Sequence, residues 1–201
     1  MTKPIQAIAT GTRAAILEQA IPLFANIGFA GVSMREIAKA VGITPAALYY
    51  HFSDKETLYF EAMRYAYADQ AESFKMALQL EVTPRQRLES FVLQLTQYLY
   101  DKPDFQRLMQ RERLDGDEHR TKLLAEHLFQ EQFKAMSELA RELAPEFEPH
   151  LWAISIAGLV MYHIEAEHLR HHLPGWKQEH DDPRVVADHV LRFILQGVNI
   201  D

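Results

Sequence analysis

The stretch GITPAALYYHFSDKE, residues 42–56, concentrates side chains suited to binding a polar partner. Tyr49, Tyr50 and His51 supply two phenols and an imidazole, which form hydrogen bonds with phosphate oxygens or with the edges of bases. Ala46 and Ala47 are small and would let a helix backbone approach bases closely. The same stretch also carries the starts of two helices within ten residues.

Two short predicted helices position these side chains. Ser33 and Glu36 stand at capping-box spacing and Gly42 is a natural terminator, which predicts a helix of two turns. Thr44 followed by Pro45 predicts the next helix, with threonine as N-cap and proline at the first helical position. This spacing is that of a helix-turn-helix, whose second helix can enter the major groove of DNA. A helical hairpin that only closes a core fits the same period and capping.

The rest of the chain also predicts helices. Leu48 and Phe52 are four residues apart and can face the core, while Ser53 and Glu56 predict a further capping box. Pro22 lies inside the first predicted helix, where we expect a bend rather than a break. The downstream sequence shows no strand-type alternation, hairpin signal or internal repeat, so the fold class is all-α.

Charge is divided unevenly along the chain. The net charge is −7, yet residues 1–64 carry six Lys and Arg against five Asp and Glu, so the remainder is strongly acidic. An acidic body and a near-neutral head suggest two functions. The chain has no Cys, no apolar run of about 20 residues and no signal-peptide pattern at its start. We therefore expect a cytoplasmic protein without disulfides, thiolate metal sites or contact with a membrane.

Three segments, LFANIGF, SMREIAKAVGIT and ALYYHFSDKETL, resemble the DNA-binding domain of TetR/AcrR family transcriptional regulators. The resemblance ends near Leu58, and the acidic remainder is similar to that family in length and helical pattern. It implies a three-helix helix-turn-helix DNA-binding domain at residues 1–55 and a helical effector-binding and dimerisation domain at residues 56–201. It also implies a regulator rather than an enzyme, with no catalytic residues and no cofactor.

The resemblance implies roles for particular residues at the DNA. Arg35 would reach a base edge or a phosphate, and Ser33 would cap its helix and touch the DNA backbone. Lys55 would add charge for phosphate at a helix start, where backbone N–H groups already attract anions. The complete implied DNA-binding set is Ser33, Arg35, Thr44, Pro45, Ala46, Ala47, Tyr49, Tyr50, His51 and Lys55.

The acidic body carries the implied dimerisation and effector functions. Residues 150–162 are apolar nearly all round, which predicts burial on more than one side. The resemblance implies that this helix and residues 185–198 pair with their copies in a homodimer; packing within one chain is the alternative. It also implies a small-molecule pocket, for which the candidates are Phe91, Tyr98, Arg107, Met136, Tyr162 and His163, with ordinary core packing as the alternative.

A histidine-rich stretch follows in the body and comprises His163, Glu167, His168, His171 and His172. Several of these residues are one helical turn apart, a spacing that allows a metal site. The stretch has no His-Glu-x-x-His motif, and histidines are favourable at the end of a helix. We therefore expect structural or pocket groups and no metal.

Together these observations predict a repressor that binds a palindromic DNA operator as a homodimer and is released by a small-molecule effector. Two other classes of protein also fit parts of the sequence. One is a helical metal-dependent enzyme that uses the cluster at residues 163–172. The other is a helical interaction module that does not bind DNA.

Overall fold

The computed structural model describes residues 11–79 and 82–197, and all regular structure in these two ranges is helical. The predicted all-α fold class is confirmed. No helix in these ranges has the length and apolar character needed to cross a membrane. The helices are α1 (Thr12–Ile27), α2 (Met34–Val41), α3 (Pro45–His51), α4 (Lys55–Gln79), α5 (Pro84–Asp101), α6 (Pro103–Asp115), α7 (Glu118–Leu124), α8 (Gln130–Leu143), α9 (Pro149–Glu165), α10 (Glu167–Arg170) and α11 (Pro183–Gly197).

Two compact units make up the chain. The first contains the chain up to Asp69 together with Pro103–Leu128, and the second contains Gln70–Lys102 and the chain from Phe129 onward. The predicted domain boundary between residues 55 and 56 does not coincide with this division. The first unit includes the start of α4 and, from later in the chain, α6 and α7. The assignment of DNA binding to residues 1–55 and of effector binding and dimerisation to residues 56–201 stays a prediction.

The core of the first unit is built from one face of each of its helices. Helix α1 packs against α2 and α6, and α2 packs against α3. Phe24 of α1, Ile37 of α2 and Leu48 of α3 are completely buried. Burying side chains of this size contributes about 1.5–3 kcal/mol each, which explains how such short helices hold their positions.

Helix α1 begins at Thr12, with Gly11 as its N-cap. At the other end of the helix, the side chain of Ile27 is 49% exposed. Pro22 lies inside an uninterrupted helix, in agreement with the expectation that it would not break α1.

The start of α4 uses a different cap from the one predicted. The backbone N–H of Thr57 donates to Oδ1 of Asp54 at 2.7 Å, so Asp54 caps the helix and Ser53 does not. Ser53 instead donates its hydroxyl to the other carboxylate oxygen of Asp54 at 2.8 Å. These hydrogen bonds lower the pKa of Asp54, since they favour the carboxylate form.

The second unit is organised around α5, which packs against α8, α9 and α11. Val92, Leu139 and Val160 contribute fully buried side chains to its core. Two helical stretches of the chain are interrupted. A π-helical turn at Ala125–Phe129 lies between α7 and α8, and Ala166 separates α9 from α10.

Candidate DNA-binding surface

The turn between α2 and α3 depends on Gly42. This residue has φ 78° and ψ 29°, a left-handed conformation that glycine adopts without steric cost. The N–H of Ile43 then donates to the carbonyl of Ala38 at 3.0 Å and satisfies one of the last carbonyls of α2. The chain thereby leaves α2 and enters α3 after only three residues, as the helix-turn-helix prediction requires.

Local caps fix both helices of this motif. Ser33 accepts from the N–H of Glu36 at 3.3 Å, and Glu36 accepts from the N–H of Ser33 at 2.7 Å, so the predicted capping box is present. Hydrogen bonds from the hydroxyl and the N–H of Ser33 lower the pKa of Glu36. Thr44 caps α3 by accepting from the N–H of Ala47 at 3.2 Å, and Pro45 occupies the first helical position.

Two buried anchors determine which face of α3 is exposed. Leu48 and Phe52 are 0% and 1% exposed, as the sequence predicts. The guanidinium carbon of Arg13, from α1, lies 4.4 Å from the centre of the Phe52 ring. With these side chains inward, Tyr49 and Tyr50 are held outward, at 53% and 88% exposure.

We call the exposed part of this motif the α3 surface. It consists of phenolic, cationic and small side chains, which suits it to hydrogen bonding with a polar partner. Ala47 and His51, which are half-buried, border it, and the His51 ring lies 5.4 Å from the Tyr50 ring in an edge-on contact. The α3 surface comprises Ser33, Arg35, Thr44, Pro45, Ala46, Tyr49 and Tyr50.

Lys39 is an exposed cation that the sequence-based set omitted. It lies four residues after Arg35 on α2, so both side chains share one face of that helix. The signal that could have identified it is this one-turn spacing from Arg35.

Lys55 occupies a different environment from the other predicted DNA-binding residues. Its ammonium donates to the backbone carbonyl of Phe29 at 2.8 Å and lies 4.3 Å from the centre of the Phe29 ring. The side chain is half-buried and ties the start of α4 to the turn that follows α1. A contact between Lys55 and a DNA phosphate stays a prediction. It would use the N–H groups of the ammonium that do not donate to Phe29.

A buried charged network supports the same region. Glu112 and Arg120 are 3% and 8% exposed, and their side chains are joined by an N–H···O contact of 3.1 Å. The hydroxyl of Tyr59 donates to Glu112 at 2.9 Å. Burial and the neighbouring Glu112 carboxylate raise the pKa of Tyr59, which keeps the phenol protonated as the donor. Arg120 also lies over the Phe29 ring, at 4.4 Å from its centre.

The end of α1 is held by a cation from α6. Arg111 donates through Nε to the carbonyl of Ala25 at 2.7 Å, and a second nitrogen donates to the carbonyl of Asn26. These carbonyls belong to the last turn of α1, where no helical N–H partners remain and a positive charge is favourable. The helix that precedes the motif is therefore positioned by residues far away in the sequence.

The predicted effector residues are divided between the two units, and their role in binding an effector stays a prediction. Phe91, Tyr98 and Met136 are buried in the second unit, while Tyr162 there is 67% exposed. Arg107 belongs to the first unit, is exposed, and pairs with Asp104 at 3.0 Å.

Two of the effector candidates have neighbours worth noting. Tyr98 borders a groove of about 510 Å³ between α4 and α5, whose wall also includes Gln94. His163 is half-buried, and its ring lies 5.5 Å from that of His189. Burial and the neighbouring His189 lower the pKa of His163, which favours its neutral form.

The second unit also exposes apolar side chains on two neighbouring helices, which we call the α9–α11 face. The two helices pack against each other, yet both keep large apolar side chains in solvent. Sequence analysis expected residues 150–162 to be buried on more than one side, and the exposed side is visible only in the structure. The α9–α11 face comprises Leu151, Ile154, Gly158, Tyr162, Val185 and Phe193.

The histidine-rich stretch is dispersed. His168 and His172 are exposed, whereas His163 contacts His189 on α11. His171 lies within 3.0 Å of Asp181, a residue outside the predicted cluster. The five residues of the stretch therefore do not converge on one site.

Sequence profiles of known families match most of the chain. Residues 16–62 match bacterial regulatory proteins of the tetR family, and residues 84–198 match the C-terminal domain of the HTH-type transcriptional dual regulator CecR. The HTH-type transcriptional regulator AcrR of Shigella flexneri is 43% identical over 61 residues, which are 30% of this chain and 28% of that protein. The negative regulator IcaR of the Staphylococcus aureus biofilm operon icaADBC is 41% identical over 49 residues, which are 24% of this chain and 26% of IcaR. The match thus spans only about a quarter of the length of these curated relatives.

Solved structures share the whole fold at low identity. A putative fatty acid metabolism regulator of Clostridium perfringens superposes with a TM-score of 0.77 and 23% identity, covering 93% of this chain and 100% of that one. AibR, in complex with isovaleryl coenzyme A and operator DNA, gives a TM-score of 0.70 and 22% identity, covering 91% and 97%. With both profiles matched in order along the helical chain, the protein belongs to the TetR family of bacterial regulatory proteins, which are DNA-binding transcription factors rather than enzymes, and carries the CecR type of C-terminal domain.

Proposed function

We propose that this chain is a ligand-responsive transcriptional repressor that binds a palindromic operator as a homodimer and is released by a small molecule. The observation that carries the proposal is the α3 surface. A seven-residue helix, capped at its start and anchored by Leu48 and by its C-cap Phe52, holds Tyr49 and Tyr50 exposed. Arg35 of α2 is exposed as well. An exposed surface of this chemistry suits the major groove of DNA.

The proposed DNA contacts divide into two kinds. Arg35 reads a base edge, because a guanidinium can donate two parallel hydrogen bonds to guanine. Tyr49 and His51 bind phosphate oxygens, which position the helix without reading sequence. Ala46 and Ala47 allow the backbone of α3 to lie close to the bases.

The proposed homodimer forms through the α9–α11 face. Exposed large apolar side chains such as Leu151, Tyr162 and Phe193 lose contact with water when a second copy covers them, and this burial favours association. A two-fold axis at this face would present two α3 surfaces to successive major grooves. The operator would then be a palindrome whose half-sites are about 10 base pairs apart, or a multiple of that distance.

The proposed effector acts by binding the two forms of the dimer with different affinity. A ligand that binds both forms equally shifts nothing, however tightly it binds. The operator and ligand named for AibR are consistent with such a regulator, but the identity of its ligand does not transfer at 22% identity. The groove beside Tyr98 and Gln94 is the place in the second unit where we propose to look first.

Selection of binding sites from random duplex DNA tests the proposal directly. The full chain should enrich a two-fold palindrome, and candidate ligands should then release the selected operator. Tyr50→Ala is a suitable test variant, because its side chain is 88% exposed, contributes little to the fold and belongs to the α3 surface. The proposal is wrong if the wild-type chain enriches no sequence, or if Tyr50→Ala enriches the same palindrome equally well.

A further inference from the structure

Three potential metal ligands converge where the chain turns from α10 toward α11. Glu167 begins α10, and the N–H of His171 donates to its carbonyl at 3.3 Å, so the two residues lie one helical turn apart. Asp181 ends the 3-10 turn Gln178–Asp181, two residues ahead of α11. One carboxylate oxygen from each acid and one ring nitrogen of His171 all lie within 4.8 Å of one another. We call this group the Glu167–His171–Asp181 cluster.

We propose that the Glu167–His171–Asp181 cluster binds one divalent transition-metal ion of the Zn²⁺ class. Two carboxylates and one imidazole are a ligand set that Zn²⁺ accepts, and three protein ligands leave a fourth position for water or another small ligand. Nε2 of His171 lies 3.0 Å from Oδ1 of Asp181. Two ligand atoms on a tetrahedral Zn²⁺ are about 3.3 Å apart when the bonds are 2.0–2.1 Å, so this pair needs little adjustment to share an ion.

Glu167 provides a second observation in favour of an ion. Its carboxylate has no hydrogen bond or ion pair with any residue in the described ranges, although the side chain is half-buried beside another acid. The ion pair between Asp181 and its neighbours does not explain why the carboxylate of Glu167 lies close to it. A bound cation explains this position, because both carboxylates would then surround one positive charge.

The surroundings hold Asp181 in a fixed orientation. Arg170 donates to Oδ1 of Asp181 at 2.7 Å, to the carbonyl of His180 at 2.6 Å and to the hydroxyl of Tyr100 at 3.0 Å. Each carboxylate oxygen has two lone pairs, so Oδ1 can accept from Arg170 while it binds a metal, and such outer contacts commonly orient a ligand. The two acids and Arg170 together carry a formal net charge of −1, which attracts a cation.

The proposed site has a structural consequence within the second unit. Coordination of the ion would join α10 to Asp181, which lies just before α11. It would also hold residues 172–180, between the two ligands His171 and Asp181, in place. Trp176, whose ring centre lies 4.7 Å from that of His171, covers one side of the imidazole. This inference goes against the sequence-based expectation of no metal, which considered neighbouring histidines and had no means of including Asp181.

Metal titration of the full chain, purified without an affinity tag, tests the site independently of DNA binding. Zn²⁺ should bind with one ion per chain in competition with a chromogenic chelator, and Co²⁺ should give an absorption band typical of bound cobalt. Glu167→Gln and His171→Ala should each weaken Zn²⁺ binding by at least about tenfold. His168→Ala and His172→Ala are matched controls, since both side chains are exposed and lie outside the cluster.

The outcomes separate a metal site from a structural ion pair. Glu167→Gln keeps the size of the side chain and removes no hydrogen bond seen among the described residues, so it tests the site without disturbing the fold. Saturable binding that is lost in this variant and kept in the two control variants supports the proposal. It is overturned if the wild-type chain binds no Zn²⁺ at one ion per chain, or if Glu167→Gln and His171→Ala bind as well as the controls do.

Discussion

The α3 surface and the α9–α11 face are both exposed, but they differ in chemistry. The α3 surface presents phenols, a guanidinium and small side chains, and its position is set by caps and by buried anchors. The α9–α11 face presents Leu151, Ile154 and Phe193, which form few hydrogen bonds with any partner. A polar surface of the first kind suits a hydrated partner such as DNA, whereas an apolar face is covered well only by another apolar surface. The proposed function assigns these two partners accordingly.

The largest expected effect comes from breaking the buried network of Tyr59, Glu112 and Arg120 in the unit that carries the α3 surface. Glu112→Leu should lower the free energy of unfolding by about 3–5 kcal/mol, because Tyr59 loses its acceptor and Arg120 loses its buried partner and keeps only the more exposed Asp115 and Asp117. Chemical denaturation at fixed protein concentration measures the change. The double variant Glu112→Leu with Arg120→Met is the control and should recover much of the loss. Equal stability of Glu112→Leu and the wild-type chain would show that the network contributes nothing.

The next effect tests the α9–α11 face. A Cβ at Gly158 would meet no atom within 4 Å in the same chain, so Gly158→Glu should fold normally. In the proposed dimer the new charge would be buried and unpaired at a cost of about 3–5 kcal/mol, which weakens association by at least a factor of about 100. Sedimentation should show monomers, and operator binding should be lost with the dimer.

Gly158→Ala is the matched control for that substitution, because it adds a methyl group without charge and should stay dimeric. A wild-type chain that sediments as a monomer at micromolar concentration would refute the assignment of this face to a second copy.

A smaller effect, on DNA affinity, distinguishes the proposed base contact of Arg35 from the proposed phosphate contact of Lys55. Arg35→Ala should weaken binding to the cognate operator by about 1–3 kcal/mol more than binding to unrelated DNA. Lys55→Ala should weaken all sequences similarly and reduce the magnitude of the salt slope by about 1 per half-site. Binding titrations of both DNAs at several salt concentrations measure both quantities.

The opposite result would be that Lys55→Ala changes the base preference while Arg35→Ala changes only the salt slope. It would show that the proposed placement of the α3 surface in the major groove of DNA is wrong. Because Lys55 also donates to the carbonyl of Phe29, Lys55→Ala removes a contact within the fold. The unfolding free energy of this variant therefore has to be measured as well, to confirm that it is folded under the binding conditions.

The smallest effect concerns the capping box of α2. Ser33→Ala should lower the free energy of unfolding by about 1 kcal/mol at neutral pH, since the N–H of Glu36 loses its acceptor. The pKa of Glu36 is lowered in the folded chain, so the stability from its carboxylate is present above its ordinary pKa of 4.5 and is lost as the pH falls through the folded value. The difference between wild type and variant, measured by denaturation, should therefore shrink on acidification. A difference that is constant with pH would contradict this coupling.

The structural features that the sequence predicts correctly are those determined by local contacts. The caps at Ser33 and Thr44 involve backbone groups three residues away, so spacing alone predicted them correctly. The cap of α4 was assigned wrongly because Ser53 and Asp54 are both able to cap, and the choice depends on which oxygen reaches Thr57.

Contacts between distant residues were beyond sequence analysis. Lys55 and Arg120 both lie over the ring of Phe29, although they are separated from it by many residues. Arg107, one of the effector candidates implied by the resemblance, belongs to the first unit while the other candidates belong to the second, and its role stays a prediction. Composition identifies residue types that could line a pocket, whereas only packing decides which of them meet.

The contacts of Arg111, Glu112 and Arg120 have a consequence for how the chain is made. These residues come from the second of the two stretches that build the first unit, after an intervening stretch of the other unit. A growing chain that has emerged only as far as α4 would leave the hydroxyl of Tyr59 and the last carbonyls of α1 without these partners. On the ribosome, these contacts of Tyr59 and of the end of α1 can therefore form only after the chain has been synthesised as far as Glu112, and the contact of Glu112 with Arg120 only after Arg120 has been added.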